Sequence, residues 1–195
     1  MTSCLKIASH GKFFLLIVSI VLFVSGCRQS RSGNPRILVF GKTADYHHAS
    51  IPVGMGALQK LGAENKFDVD TTTDATMFQE DSLKKYSAVV FLNTTGNVLD
   101  QYQEVAFERF IQSGGGFVGV HAATDTEYDW GWYGRMVGAY FESHPKIQEA
   151  VLRVVDSSID ATKGIPAEWR RTDEWYNFKK LNNDVKVLMT IDEKS

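Results

Sequence analysis

The chain has 195 residues, 44% of them hydrophobic, which is enough for one globular domain with its own core. A formal net charge of −2 excludes the basic footprint of a nucleic-acid binder. Cys4 and Cys27 are the two cysteines, and both precede the globular part, so disulfide and thiol chemistry are excluded from it.

The first 12 residues carry Lys6, His10 and Lys12 with no acidic residue, and Phe13 to Val24 (FFLLIVSIVLFV) is an apolar run too short to span a bilayer comfortably. Val24-Ser25-Gly26-Cys27 then places small residues before a cysteine, a pattern that resembles the bacterial lipobox. Residues 1–26 are therefore predicted to be a lipoprotein signal peptide, with Cys27 lipidated and holding the protein to a membrane on the periplasmic or outer-membrane face of the cell envelope. An uncleaved N-terminal anchor is the plainer alternative, and it exports the domain equally. Residues 27–35, with Arg28 to Pro35 reading RQSRSGNP, have the composition of a flexible tether.

From Arg36 onward, short apolar runs alternate with helical spacing, the signature of an α/β domain with a mostly parallel central sheet. RILVF (36–40) reads as a buried strand, followed by the polar loop GKTADYHHAS (41–50). Ile51, Met55, Leu58 and Leu61 recur at helical spacing, with Gly62 as the expected stop. A strand is predicted over 67–71, a short helical stretch over 78–85 and a strand over 87–92. Leu99, Tyr102, Ala106 and Phe110 mark the inner face of a helix that the glycines at 114–116 terminate. A fourth strand follows over 117–120, then a helix over 132–141 and strands over 147–155 and 185–190. In such sheets ligands bind outside the carboxyl ends of the strands, so the loops holding His47, His48, Asn93, His121 and Asp125 should converge.

Gly119-Val120-His121-Ala122-Ala123 has the form of a strand that ends in Gly-x-nucleophile on a sharp turn, with histidine in the nucleophile's place. GGFVGVHAATDTEYDWGWYGRMVGAYFESHP, with RILVFGKTADYHHASI and RRTDEWYNF, resembles the ThuA-like (trehalose utilisation) family of the class I glutamine amidotransferase-like superfamily. The resemblance runs from Arg36 to about Glu193 and implies a three-layer flavodoxin-like sandwich. It also implies a role in sugar utilisation, with secreted members often labelled glycosyl hydrolases. Amidotransferases of the superfamily use a cysteine where His121 stands. Without a thiol in the domain, glutamine hydrolysis through a thioester is excluded. Family members usually continue beyond the DEKS-like segment, so 36–195 is expected to be a ThuA-like domain lacking its C-terminal part.

His121 is the first candidate, as a general base, a hydrogen-bond donor to a sugar hydroxyl or a metal ligand, against the alternative of a satisfied histidine under the loop. Asp125 could accept a proton or hold sugar hydroxyls, or cap a helix, whereas Glu127 and Asp129 read as surface or cap residues. Glu174, in RRTDEWY, suits a catalytic acid that a neighbouring arginine would hold ionised, or else a plain salt bridge. Substrate-binding candidates are His48 in preference to His47, Asn93 at the third strand's end, His144 before Pro145, and Trp132. The four tryptophans, at 130, 132, 169 and 175, offer flat faces to a pyranose ring or fill the core.

No cofactor is expected and no residue is assigned to metal. A divalent ion held by His48, His121, His144 and Glu174 is a further reading, but no H-x-E-x-x-H-like spacing supports it. The predicted partner is a small saccharide or sugar derivative, and the predicted activity is acid/base chemistry of hydrolase or isomerase type. The competing reading is a non-catalytic carbohydrate-binding or scaffold domain.

Overall fold

Four short strands stand side by side in the order β2-β1-β3-β4, all parallel: β1 (Arg36–Phe40), β2 (Asp68–Thr72), β3 (Ala88–Leu92) and β4 (Gly116–Val120). The computed structural model describes residues 33–195, so the predicted signal peptide, Cys27 and all but the end of the tether lie outside the described residues. The register pairs Val39 with Val90 and Phe91 with Gly119, and strand alternation then sorts the side chains to two faces.

Leu38, Phe40, Val89 and Phe91 point to one face and join Phe78, Phe107 and Phe110 in the main core. Phe91 lies at its centre, with ring centroids 5.3 Å from Phe40 and 5.4 Å from Phe107. Val39, Val90 and Leu92 point to the other face, where Met55 and Leu58 of helix α1 (Ile51–Asn65) cover them. Burying each such side chain contributes about 1.5–3 kcal/mol relative to exposure. Helices α2 (Glu80–Leu83) and α3 (Gln101–Gln112) cover the phenylalanine face, completing the three expected layers.

Helix α3 begins at a capping box in which the Asp100 side chain accepts from the Tyr102 and Gln103 N–H groups while Gln103 returns a bond to the Asp100 N–H. Its inner face is Ala106, Phe107 and Phe110, whereas the expected core residue Tyr102 is 88% exposed. Gly62 does not stop α1. The helix runs to Asn65 and ends on Lys66 at φ 60°, while Gly62 is buried where a Cβ would lie 2.6 Å from the Phe67 carbonyl oxygen. Its smallness serves close packing rather than termination.

The helix expected over 132–141 is shorter. Helix α4 (Gly131–Val137) ends at Gly138, whose φ of 98° suits glycine, and Tyr140–Ser143 is a strand, β5. From here the chain turns antiparallel. β6 (Gln148–Val154) pairs with β7 (Glu168–Asp173) on one side and β9 (Met189–Asp192) on the other, and β5 pairs with β8 (Asn177–Lys179). Sequence reading anticipates β6, shifts β9 upstream, and passes over β5, β7 and β8. EWRRTD of β7 carries no apolar alternation, because most of the strand is exposed.

Candidate functional site

The loops leaving β1, β3 and β4 are tied together by backbone. Thr43 bridges Thr95, and Gly96 bridges Thr126. The Ala44 N–H donates to Thr95 O at 2.8 Å, and the Gly96 N–H donates to Asp125 O at 2.9 Å. Two strands end on non-glycine residues with left-handed backbone, Asn93 at φ 51° and His121 at φ 49°. Such positions cost about 1–3 kcal/mol each and persist only where surrounding structure holds them. At His121 this sharp turn, with Ala122 and Ala123 buried beneath it, aims the imidazole off the end of β4.

His121 Nε2 lies 2.8 Å from the Tyr176 hydroxyl and 3.4 Å from Glu174 Oε2, and the side chains of His121 and Glu174 are each 29% exposed. His48, from the loop after β1, sets its ring edge-on to His121 with centroids 4.9 Å apart. Glu174 and Tyr176 come from the segment between β7 and β8. A spacing of two puts both on one side of an extended chain, and Trp175 between them donates its indole N–H to Gln148 O of β6 at 2.8 Å. His47, adjacent to His48, instead places Nδ1 3.2 Å from Thr43 Oγ1.

Burial lowers the pKa of both His48 and His121; the neighbouring imidazole adds to the effect on His48, while Glu174 opposes it on His121. Both rings therefore favour the neutral form, which keeps one unprotonated nitrogen able to accept a proton. Burial, reinforced by Glu174 and Asp125, pushes the Tyr176 phenol above its ordinary range, so it remains a neutral hydroxyl. Glu174 has no arginine partner among the described residues. Arg170 pairs with Glu149 and Arg171 with Asp173, which corrects the expectation that an arginine holds Glu174 ionised.

The sequence profile described as trehalose utilisation, ThuA, matches residues 36–195. The chain belongs to the ThuA family. Among solved structures it is similar to a ThuA-like protein from Bacteroides uniformis at 26% identity, with a TM-score of 0.72 over 87% of this chain and 72% of that one. A ThuA-like protein from Parabacteroides merdae, at 22% identity and a TM-score of 0.68 over 83% of this chain and 70% of that one, shares the fold. No curated protein matches the chain. The parallel sheet agrees with the class I glutamine amidotransferase-like superfamily, but in this ThuA member the turn after β4 carries His121.

The other sequence-predicted residues of the ThuA domain fall in distinct places. Asn93 is buried; its Nδ2 donates to Ser50 Oγ at 2.9 Å and its Oδ1 has no protein partner. Asp125 accepts from the Tyr128 hydroxyl at 2.5 Å and lies close enough to His48 and Tyr176 to bias their protonation. The His144 Nδ1–H donates to Pro145 O at 2.8 Å, and its ring stacks 6.0 Å from Tyr176, at the rim of the cluster. Trp132 is not brought to the cluster. It stacks on Trp130 at 5.1 Å and meets Phe107 edge-on at 6.4 Å, half-buried against the main core.

Two residues were misread from sequence. Tyr176 counts there only as one aromatic among several, although its place two residues after Glu174 in the polar stretch RRTDEWYN is the available signal. Glu127, expected as a surface or cap residue, is not at the surface: it is 2% exposed and accepts from the Val98 and Leu99 N–H groups at 2.8 Å each. Burial raises its carboxyl pKa against the opposing pull of those two donors. It acts as an internal cap for the loop that leads into α3.

Proposed function

We propose that this ThuA-family protein is an exported, lipid-anchored enzyme of sugar utilisation that performs acid/base chemistry on a saccharide. The supporting observation is His121, held on a strained turn at the sheet's carboxyl edge with Nε2 in reach of both Tyr176 and Glu174. A neutral imidazole there can take a proton from a sugar hydroxyl. The Glu174 carboxylate then stabilises the imidazolium that forms, and the Tyr176 hydroxyl orients the ring or donates to a sugar oxygen. Asp125 supplies a second carboxylate beside the cluster, with His48 and His144 as substrate contacts, while the buried Asn93 braces the loop through Ser50. Trp132, packed against the core, gives no support to a binding-only platform built on that ring.

General acid/base groups of this kind contribute about 10²–10⁴-fold to rate. In the full-length protein, His121→Ala and Glu174→Gln should each lower turnover of a disaccharide or oxidised-sugar substrate by a factor in that range. Turnover unchanged by both substitutions across the panel sinks the reading. The anchor is tested separately: radiolabelled palmitate should enter the wild-type chain and be lost in Cys27→Ser, and equal labelling of the two removes the lipidation.

A further inference from the structure

We propose that His48, His121 and Glu174 form a binding site for one divalent transition-metal ion of the Zn²⁺ type. Each offers one ligand atom, and the three atoms lie within 4.8 Å of one another. The contact between His121 Nε2 and Glu174 Oε2, at 3.4 Å, matches the edge of a coordination tetrahedron with bonds of about 2.0–2.1 Å, whose ligand atoms sit about 3.3–3.4 Å apart. The widest separation exceeds that edge, so a modest rotation of His48 completes the set.

Three further observations point to a cation. His48 Nδ1 is buried without a protein partner, and a buried polar atom of this kind calls for an unseen partner. Glu174, the carboxylate of the set, faces the His121 imidazole and forms no ion pair with lysine or arginine among the described residues, since Arg170 and Arg171 are committed to Glu149 and Asp173. Asp125 also bears on the cluster through its charge, and among the described residues no lysine or arginine forms an ion pair with Asp125 or Glu174.

The donor set agrees with the ion. Two imidazoles and one carboxylate suit zinc and its neighbours rather than magnesium or calcium, which take oxygen ligands. Three protein ligands with partly exposed side chains leave at least one coordination position open to water or a sugar hydroxyl. His144 stays outside the set, since its Nδ1–H is engaged with Pro145 O. A metal at His121 Nε2 would take the lone pair that now faces the Tyr176 hydroxyl, and that hydroxyl would be left to donate to Glu174 or to a metal-bound water.

The proposal rests on geometry rather than on the acid/base reading; an ion on His121 Nε2 would occupy the lone pair that the general-base role uses, so the two are tested separately. The full-length protein is stripped with chelator and titrated calorimetrically with ZnCl₂ in the absence of any sugar, and Co²⁺ is added in parallel to read its visible spectrum. One ion per chain with micromolar or tighter affinity is expected, along with the intense bands of four- or five-coordinate cobalt. His48→Ala, His121→Ala and Glu174→Gln should each weaken uptake at least 10-fold, with the wild-type circular dichroism spectrum retained.

Failure of the wild-type chain to take up stoichiometric Zn²⁺ overturns the site, whatever the variants do. Uptake that survives all three substitutions, or weak octahedral cobalt bands, overturns it as well. Metal uptake without turnover of any sugar leaves the site standing and removes the catalytic reading; turnover without metal uptake does the reverse.

Discussion

The two halves of the domain build the same cluster by different means. Between Arg36 and Asp125, parallel strands, with β1 and β3 buried at the centre, end in loops stitched together by backbone bonds, and they deliver His48, Asn93 and His121 from a closely packed base. Between Tyr140 and Asp192, mostly exposed antiparallel strands carry Glu174 and Tyr176 back over that base, held by contacts such as the Trp175 indole bond to β6. Stability and site construction are thus separable here: the first half has most of the core, whereas the second supplies Glu174, the carboxylate that faces His121.

The sharpest way to break this contrast is to delete one large side chain from each half. Phe91→Ala, at the centre of the phenylalanine cluster, should cost about 3–5 kcal/mol in chemical denaturation. Phe178→Ala on β8, already 47% exposed, should cost less than about 1 kcal/mol. Equal losses would mean that the antiparallel half has a core of its own.

A smaller effect is expected at Glu127, which ties the strand-end loops to the start of α3. Glu127→Ala strands two buried N–H groups and should cost about 2–4 kcal/mol, whereas Glu127→Gln keeps an acceptor oxygen and should cost far less. The pH dependence follows from the raised carboxyl pKa. The folded state holds the proton to higher pH than the unfolded chain, so this group's contribution is fully present below the unfolded value of about 4.3 and is lost as pH rises through the folded value. Glu127→Gln should remove that decline, and melting curves from pH 4 upward for the two proteins check it. Parallel curves would show that the buried carboxyl does not titrate in this window.

Below these come the helix cap and the surface. Asp100→Ala removes the two bonds that its side chain accepts from the Tyr102 and Gln103 N–H groups and should cost about 1 kcal/mol. Arg170→Ala, which breaks the exposed pair with Glu149, should change stability by no more than about 0.5 kcal/mol. A larger loss at Arg170 would indicate that β7 is held more firmly than its exposure implies.

The parallel half is largely readable from sequence because burial on both faces leaves unbroken apolar runs such as RILVF and AVVFL, and because Gly-x-His at a strand's end marks a turn. Boundaries slipped where one glycine has two meanings, as at Gly62, which serves packing, and at Gly138, which ends a helix expected to run further. The antiparallel half left little trace, since EWRRTD and NFK owe their strand form to partners rather than to periodicity.

The amino-acid sequence alone was enough to determine the α/β class, the family, the lack of a thiol in residues 36–195 and the delivery of His121 to a strand's end. Each of these follows from local composition or from contiguous residues. Tertiary structure alone decided that Glu174 and Tyr176 meet His121 across more than 50 residues, that His48 rather than His47 joins them, and that Trp132 packs against the core. The physical reason is that those meetings depend on how exposed strands fold back over a packed sheet, which is set by long-range pairing and not by the residues beside each side chain.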